Sequence, residues 1–293
     1  MREITGSTGL CCLIGDPVKH SISPQMHNAA FSSLNLNLVY LAFQVKKECL
    51  KAAVNAIRAF EIRGVNVTVP HKIEVMPLLD EIDNAARKIK AVNVILNRGG
   101  KLIGFNTDGK GALKSVGKER IRNKNVVIIG AGGAARAIAF VFAEEGKSLT
   151  ILNRTTQKAV DLAREVEENS KARASGLGLS GGNVGEALRE CDLLVNATTV
   201  GMYPHVEETV IGKAHLKEGM TVFDTVFNPL ETRLLKDARS RGAEAIGGLD
   251  MLVHQGAEAF HIWTGVQPPI DLMRKAALEA LRDPRMNTYE RSS

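Results

Sequence analysis

Residues 125–135 read NVVIIGAGGAA, and this stretch decides the fold. An apolar strand runs directly into a glycine-rich turn and a helical pattern follows at once, which is the context that a dinucleotide-binding fingerprint needs. Gly130 permits the tight turn, Gly132 lets the backbone approach a pyrophosphate, and the small Ala135 allows close helix–strand packing. The helix N-terminus adds N–H groups and the positive end of its dipole. The turn therefore predicts a dinucleotide site; small residues that merely let a helix pack on a strand are the alternative interpretation.

The end of the next strand indicates which dinucleotide binds. About twenty residues beyond the turn, such sites usually place Asp or Glu against the ribose 2′-OH. Here the strand ends Asn153-Arg154-Thr155, and Lys158 follows one helical turn later. These side chains offer donors and positive charge where a 2′-phosphate would lie, so NADP is favoured over NAD. Solvated charges at the top of a helix are the alternative.

Two blocks of alternating strands and helices flank this stretch. In the first block, strands are predicted at residues 10–14, 38–45, 65–69, 92–96 and 102–105, with helices from Ser23 to about Leu34 and over 47–60. The second block has predicted strands at 126–129, 149–152, 193–196 and 220–224, and predicted helices at 134–144 and 156–168. The Ser/Gly-rich residues 170–183 are expected to form a loop inside it, and two helices, 249–263 and 271–281, follow. This alternation predicts an α/β protein with mostly parallel sheets.

Composition excludes several classes of protein. The 293 residues (31.6 kDa) exceed one ordinary core, so two domains are expected. No run approaches the roughly 18 apolar residues of a membrane span, and the apolar patch at 10–14 is too short for a signal peptide. The four cysteines lack zinc-site spacing and fit a reduced compartment. From the cysteines and the apolar patch we expect a cytoplasmic protein without a metal. The basic residues that give the net charge of +6 are scattered, so we expect anionic small-molecule ligands and neither nucleic acid nor membrane as partner.

Polar residues collect where strands of the first block end. Ser21 and Ser23 follow the first strand, where open α/β sheets bind ligands, although Ser23 is also well placed as a helix N-cap. Thr68 and Lys72 follow a later strand in NVTVPHK, with the proline expected to start a helix. A lysine in a first helical turn opposes the helix dipole, so a carboxylate partner is expected, and Asp108 can supply it. A plain N-cap is the alternative role for Asp108.

The chain resembles the shikimate dehydrogenase family. Nine blocks run in order from residue 14 to 265: IGDPVKHSISPQMHNAAF, NVTVPHK, AVNVI, GFNTDGKG, IGAGGAARAIAF, NRTTQKA, NATTVGMYP, FNPLETRLL and GGLDMLVHQGAEAFHIWTG. Their common order over nearly the whole chain carries the resemblance. It implies the NADPH-dependent, reversible reduction of 3-dehydroshikimate to shikimate, on the path to chorismate and the aromatic amino acids.

The resemblance also implies a domain plan. An α/β substrate-binding catalytic domain would comprise residues 1–110 and 249–293, with the C-terminal helices returning to it, and a Rossmann NADP-binding domain would comprise residues 111–248. A homodimer is kept as an option. Substrate and nicotinamide would meet in a cleft between the domains.

Individual roles follow from matching the family's motifs. Lys72 and Asp108 would handle the proton that accompanies hydride transfer. Substrate contacts would come from Ser21, Ser23, Thr68, Asn93 and Gln255. Cofactor contacts would come from Gly130, Ala131, Gly132, Gly133, Ala134, Asn153, Arg154, Thr155, Lys158, Thr198, Met202 and Met251. The catalytic pair is expected to share one pocket with the substrate residues, facing the glycine-rich turn.

Four positions depart from the family's pattern, and two other functions stay open. Phe227 stands where tyrosine is common, Val94 where threonine is expected, Lys90 where glycine commonly stands, and Asp250 where a small residue is frequent. One alternative function is an NAD-preferring quinate/shikimate dehydrogenase. The other is a non-catalytic module that senses NADP or a metabolite, which would not need the lysine–aspartate pair. A methyltransferase is disfavoured, because it would need an acidic residue for its ribose hydroxyls where Asn153 stands.

Overall fold

The computed structural model describes residues 3–283 and divides into two compact units. Unit 1 is Met1–Thr107 with Val253–Ser293, and unit 2 is Asp108–Leu252. The elements in chain order are β1 (Gly9–Gly15), α1 (Ser23–Ser33), β2 (Leu38–Gln44), α2 (Leu50–Ala59), β3 (Gly64–Val67), β4 (Glu81–Ile82), α3 (Asn84–Ile89), β5 (Val94–Arg98), β6 (Lys101–Phe105), α4 (Asp108–Val116), β7 (Asn125–Ile129), α5 (Gly133–Ala143), β8 (Ser148–Asn153), α6 (Thr156–Asn169), β9 (Arg173–Gly178), α7 (Gly181–Arg189), β10 (Leu193–Asn196), β11 (Thr221–Asp224), α8 (Arg233–Ser240), β12 (Glu244–Ile246), α9 (Leu249–Thr264) and α10 (Ile270–Arg282).

The sheet of unit 1 is mixed, in the order β2-β1-β3-β5-β6-β4. β1, β2 and β3 run parallel, as do β4 and β6, but β5 is antiparallel to both of its neighbours. The alternation of strands and helices did not predict this reversal. Gly99 and Gly100, with φ of 59° and 88°, join β5 to β6 in a two-residue hairpin turn. The reversal brings the beginning of β5 to the edge where β1, β3 and β6 end.

The sheet of unit 2 is entirely parallel, in the order β12-β11-β10-β7-β8-β9. Numbered within the unit, this is the 3-2-1-4-5-6 order of a Rossmann fold read from the other side, so the predicted fold is confirmed. β7 and β10 lie side by side at the point where the strand order reverses. Ligands bind at the carboxyl ends of strands at such a point.

The prediction of a loop at residues 170–183 is wrong. Its residues form β9, which pairs with β8 from Ser148↔Arg173 to Asn153↔Gly178, and the first turn of α7. The glycines that made the segment resemble a linker have a packing role, because a Cβ at Gly176 would overlap the backbone of Ala159 in α6. Glycine here lets a helix lie directly on the strand.

Within unit 1, the end of α9 is fixed to the sheet by Trp263. Its indole N–H donates to the Ile95 carbonyl at 3.0 Å, and its own carbonyl accepts from Arg63 Nε at 2.8 Å. A Cβ at Gly64 would overlap the indole ring, so β3 needs glycine there. α10 packs against α1. No helix within residues 3–283 is long and apolar enough to cross a membrane.

His27 is buried in an aromatic cluster beside this anchor. Its ring stacks on Tyr40 at a centroid distance of 4.5 Å and lies 5.4 Å from Trp263 and 6.5 Å from Phe260. Neither ring nitrogen has a hydrogen-bond partner among the described residues. Burial alone lowers the pKa of His27 to about 3, so the imidazole is neutral in the folded protein.

We expect His27 to make folding less stable in acid. An unfolded chain returns the pKa of His27 to about 6.5, so between pH 6.5 and 3 the unfolded state binds a proton that the folded state does not. The free energy of unfolding therefore decreases as the pH is lowered, by about 2 kcal/mol from pH 7 to pH 5. Urea unfolding at both pH values measures this decrease. We expect the free energy of unfolding of His27→Phe and of His27→Leu to decrease less than that of the wild type. His205→Gln, at an exposed histidine, is the control; an unchanged pH dependence in both His27 variants would contradict the prediction.

Candidate active site

Asn93 lies at the edge of the unit 1 sheet where β1, β3 and β6 end. Its N–H donates to the Phe105 carbonyl at the end of β6 (3.0 Å), and its carbonyl accepts from the Val67 N–H at the end of β3 (2.9 Å). The residue is 2% exposed. It lies there because β5 is antiparallel, so the beginning of β5 meets the ends of its neighbours.

The Asn93 side chain joins two other segments of unit 1. Its Nδ2 donates to Thr107 Oγ1 (3.0 Å) and to Gln255 Oε1 (3.2 Å), while its Oδ1 accepts from the Thr107 N–H (2.7 Å). Thr107 Oγ1 in turn donates to the Gln255 carbonyl (3.0 Å). The structure thus brings two predicted substrate residues, Asn93 and Gln255, into direct contact, and Thr107 holds them together.

A second chain of hydrogen bonds links Tyr40 to Asn93, and the two predicted serines are bonded to each other. Ser21 Oγ accepts from the Ser23 N–H (3.3 Å). Tyr40 Oη donates to Asn66 Oδ1 (2.7 Å), and Asn66 Nδ2 donates to the Asn93 carbonyl (3.3 Å). The N-cap interpretation of Ser23 is wrong, because α1 begins at Ser23 and no side chain caps it.

Thr68 and Lys72 lie on a turn rather than a helix. The Thr68 N–H donates to the Ile14 carbonyl at the end of β1 (2.9 Å), and the Lys72 carbonyl accepts from the Val92 N–H (2.8 Å). The helix expected after Pro70 is absent: turns lead to a short 3₁₀ helix, Met76–Leu78. The helix-dipole argument for a carboxylate beside Lys72 therefore fails.

The two predicted catalytic residues fall in different units. Lys72 belongs to unit 1 and is half-buried, whereas Asp108 is the first residue of unit 2 and is 4% exposed. Asp108 also begins α4. The pairing of Lys72 with Asp108, and the pocket expected to contain both, stay predictions.

In unit 2 the glycine-rich turn follows β7, as the sequence predicts. Gly130 has φ of 117°, which favours glycine, and its N–H donates to the Leu152 carbonyl (2.8 Å). Ala131 to Ala134 lead into α5, whose N-terminus is capped by no side chain. A Cβ at Gly132 would meet nothing within 4 Å. The turn thus offers open space and helix-terminal N–H groups, which suit a pyrophosphate.

The end of β8 matches the prediction of a basic loop. Asn153 Nδ2 donates to the Thr155 carbonyl (3.0 Å), which closes the turn into α6, and the Asn153 carbonyl accepts from the Leu179 N–H (3.1 Å). Arg154, Thr155 and Lys158 are exposed. Thr155 does not cap α6 with its side chain, so its hydroxyl is not used by the helix end. These groups fit a phosphate ligand and contain no carboxylate that would repel one.

Of the three remaining predicted cofactor residues, Thr198 is bonded to a buried polar cluster. Thr198 Oγ1 donates to Asn196 Oδ1 (2.7 Å), and Asn196 Nδ2 donates to Asp224 Oδ1 (2.9 Å). Desolvation raises the pKa of Asp224 to about 6, against the opposing effect of its hydrogen bonds. Met202 is half-buried and Met251 is 6% exposed in the first turns of α9.

Sequence reasoning missed six residues that organise these edges. Each is a polar side chain at or near the end of an apolar strand or opposite one: Tyr40, Asn66, Thr107, Asn196, Asp224 and Thr232. The signal was present in Asn196 and Asp224, which end the runs LLVN and TVFD. A polar residue at the end of a buried strand needs a hydrogen-bond partner, and that need could have identified them.

One of the four departures from the resembled pattern has a local explanation, and for a second the backbone explains the common glycine but not the lysine found here. Lys90 ends α3 with φ of 56°, in the left-handed region that favours glycine. Asp250 lies in the first turn of α9, where a carboxylate is stabilised by the helix dipole. Val94 is buried at the start of β5, and Phe227 is half-buried; nothing in the structure explains either choice.

Comparisons with known proteins agree over both units. Residues 13–95 match the profile "Shikimate dehydrogenase substrate binding domain", residues 112–226 "Shikimate / quinate 5-dehydrogenase", and residues 248–278 "Shikimate 5'-dehydrogenase C-terminal domain". The NADP(+) shikimate dehydrogenase of Methanosarcina mazei is 48% identical over 288 residues, which is 96% of this chain and 100% of the relative.

Solved structures give the same result. A shikimate dehydrogenase crystallised with NADP+ has a TM-score of 0.89 at 47% identity, covering 95% of this chain and 98% of its own. The shikimate 5-dehydrogenase of Thermus thermophilus, in complex with NADP(H) and shikimate, has a TM-score of 0.83 at 36% identity, covering 93% and 99%. The chain is thus similar to these proteins in sequence and in fold.

Proposed function

The chain belongs to the shikimate dehydrogenase family, and from this we propose that it catalyses the NADPH-dependent, reversible reduction of 3-dehydroshikimate to shikimate. It is an oxidoreductase of the route to chorismate and the aromatic amino acids. The observation that carries the function is that relatives of this one activity match the chain across both units at nearly half identity. The recognition made from the sequence blocks is confirmed.

NADP is the cofactor, and its nicotinamide ring supplies the hydride when bound. In our proposal the Gly130–Ala134 turn and the N-terminus of α5 hold the pyrophosphate. Arg154, Lys158 and the neighbouring Asn153 and Thr155 hold the 2′-phosphate. Thr198, Met202 and Met251 are assigned to the nicotinamide end. The absence of a carboxylate at the end of β8 supports this assignment.

The substrate residues are all proposed in unit 1. Ser21, Ser23, Thr68, Asn93 and Gln255 orient the hydroxyl and carboxylate groups of the ring. The direct bond between Asn93 and Gln255 supports a shared role, because both amides stand at one edge of the sheet. Amides and hydroxyls can donate and accept, which suits a substrate with several hydroxyl groups.

Proton transfer is assigned to Lys72 and Asp108. The Lys72 ammonium donates a proton to the alkoxide that develops as hydride adds to the ring carbonyl, and the Asp108 carboxylate stabilises that ammonium. Reversal of the same steps returns the proton when shikimate is oxidised. The burial of Asp108 supports this role, because a buried carboxylate is tolerated only beside hydrogen-bonding or charged partners.

An NAD-preferring quinate/shikimate dehydrogenase is the competing activity. Measuring kcat/KM for shikimate and quinate, each with NADP+ and NAD+, separates the two. The proposed function requires the highest value for shikimate with NADP+. A preference for quinate with NAD+ would establish the competitor, and cofactor binding without turnover of either substrate would leave a sensing module.

Location and assembly are further proposals. We place the enzyme in the cytoplasm, supported by four cysteines that are all free thiols in the structure.

We also propose a homodimer, supported by the uncharged edge strand β2, which exposes Leu41 and Phe43. Light scattering after size exclusion should give about twice the chain mass, and Phe43→Lys should shift it toward one chain. A wild-type mass of 31.6 kDa would contradict the dimer.

Lys72→Ala should lower kcat by roughly 100-fold or more while changing the KM for shikimate far less. The variant loses the proton donor of the transition state but keeps the groups that bind the ring hydroxyls. Steady-state kinetics in both directions measure the effect. Lys47→Ala, at an exposed lysine of the same unit, is the control and should match the wild type. A raised KM with unchanged kcat would make Lys72 a binding residue only.

Arg154→Ala should weaken NADPH binding and leave NADH nearly unaffected. A charge-assisted contact to the 2′-phosphate is worth about 1.5–3 kcal/mol, or roughly ten- to a hundredfold in Kd. Fluorescence titration of both cofactors gives the two Kd values. Arg164→Ala, exposed on α6, is the control. Asn153→Asp combined with Arg154→Ala should invert the preference, so that NADH binds more tightly than NADPH. If Arg154→Ala weakens the binding of both cofactors equally, Arg154 does not contact the 2′-phosphate.

A further inference from the structure

Among the buried charged residues of unit 2 to which the reaction as assigned gives no role, Asp224 is the most deeply buried. Asp224 ends β11 and is 0% exposed, and it is paired in register with Asn196, which ends β10 and is 1% exposed. Both residues lie at the edge of the sheet that carries the glycine-rich turn. A carboxylate that is fully buried needs several hydrogen bonds to be tolerated, so its partners show what it organises.

The Asp224 carboxylate binds three separate segments. Oδ1 accepts from Asn196 Nδ2 (2.9 Å) and from the Val226 N–H (3.1 Å), and Oδ2 accepts from Thr232 Oγ1 (2.6 Å). Thr232 also caps α8, because its hydroxyl accepts from the Leu235 N–H (3.3 Å). The end of β10, the loop after β11 and the start of α8 therefore meet at one carboxylate.

Asn196 carries this arrangement into the loop that contains Thr198. Its Oδ1 accepts from both the N–H and the hydroxyl of Thr198, at 3.1 and 2.7 Å, and its Nδ2 donates to the Val200 carbonyl (3.3 Å). The Thr198 hydroxyl accepts from the Val200 N–H (3.1 Å). The loop is thus folded over an amide whose other contact is the carboxylate of Asp224.

The same loop packs on the glycine-rich turn. A Cβ built at Gly130 would stand 3.0 Å from the Ala197 carbonyl oxygen and 3.2 Å from Thr198 Cγ2. On the opposite side of the cluster, the Gly248 N–H donates to the Val226 carbonyl (3.2 Å), and Gly248 directly precedes α9. The loop of Thr198 is therefore connected to Asp224 through Asn196, and the glycine-rich turn packs on that loop. The residue before the helix of Met251 is connected to Asp224 through Val226.

We propose that Asp224 is a positioning residue that holds the 197–202 loop and the loop after β11 in the arrangement that receives the nicotinamide end of the cofactor. This inference rests on the proposed NADP-dependent function. Asp224 acts through Asn196 and Thr232 and does not contact the cofactor. It lies away from the basic loop after β8, so its loss should affect NADPH and NADH alike.

Two kinds of substitution test the role. Asp224→Asn keeps the shape but turns an amide N–H₂ toward donors, so at least one contact is lost. Thr232→Val removes one donor to the carboxylate, and Thr232→Ser keeps it. Asp192→Asn is the matched control, since Asp192 precedes β10 at the opposite edge of the sheet, where it accepts from the Asn125 N–H (2.8 Å).

The measurements are the Kd of NADPH and of NADH by fluorescence titration, the KM for shikimate, and thermal unfolding. Asp224→Asn and Thr232→Val should raise both cofactor Kd values by about tenfold and by the same factor, with the KM for shikimate within twofold. Thr232→Ser and Asp192→Asn should stay within twofold of the wild type throughout.

Two results would overturn the role of Asp224. One is a lowered unfolding temperature with unchanged cofactor Kd values, which would make the cluster purely structural. The other is a loss confined to NADPH, which would place its effect on the 2′-phosphate loop. Failure of the proposed function is seen separately, because the wild type itself would then bind no NADPH or turn over no shikimate. If Asp224→Asn does not fold, the Thr232→Val and Thr232→Ser pair decides.

Discussion

The requirement that a buried polar group find a hydrogen-bond partner shapes the edge of each sheet at which we propose a ligand binds. In unit 1 the side chain of Asn93 satisfies this requirement with Thr107 and Gln255, and so brings together a strand, the connection after β6, and α9. In unit 2 Asn196 and Asp224 satisfy each other across two parallel strands. An unpaired amide or carboxylate in either place would cost more than most single contacts return. The loops that carry the proposed binding residues are held by these pairings.

The sequence was sufficient for features that depend on local pattern. The strand–turn–helix around Gly130 and the basic end of β8 needed only neighbouring residues, and the order of nine blocks identified the family. Features that depend on pairing between distant segments were not predictable in this way. The reversal of β5 became clear only when its partners were known, although Gly99 and Gly100 signal a hairpin. β9 was hidden because its glycines serve packing against α6.

Residues proposed to touch a ligand were easier to predict from the sequence than the residues that support them. Ser21, Lys72 and Arg154 stand out because nothing in a simple helix or strand explains their chemistry. Tyr40 and Thr107 look like ordinary members of a strand and a loop, and only their contacts show that they connect to the proposed substrate residues. Their partners lie 26 and 148 residues away along the chain, beyond the range of any local pattern.

The network in unit 2 contains the carboxylate of Asp224, whereas the side chains that Asn93 joins in unit 1 are neutral, and the difference has a physical basis. Asn93, assigned to the substrate, is neutral, so it can exchange a hydrogen bond with the protein for one with a ligand at small cost. Asp224 carries a buried carboxylate, and loss of one of its three donors would leave a desolvated charge. A group of that kind is better placed behind the ligand than against it, since its bonds must not change during turnover. In our proposals the charged Asp224 therefore fixes the loops of unit 2, while the neutral amides of unit 1 meet the substrate.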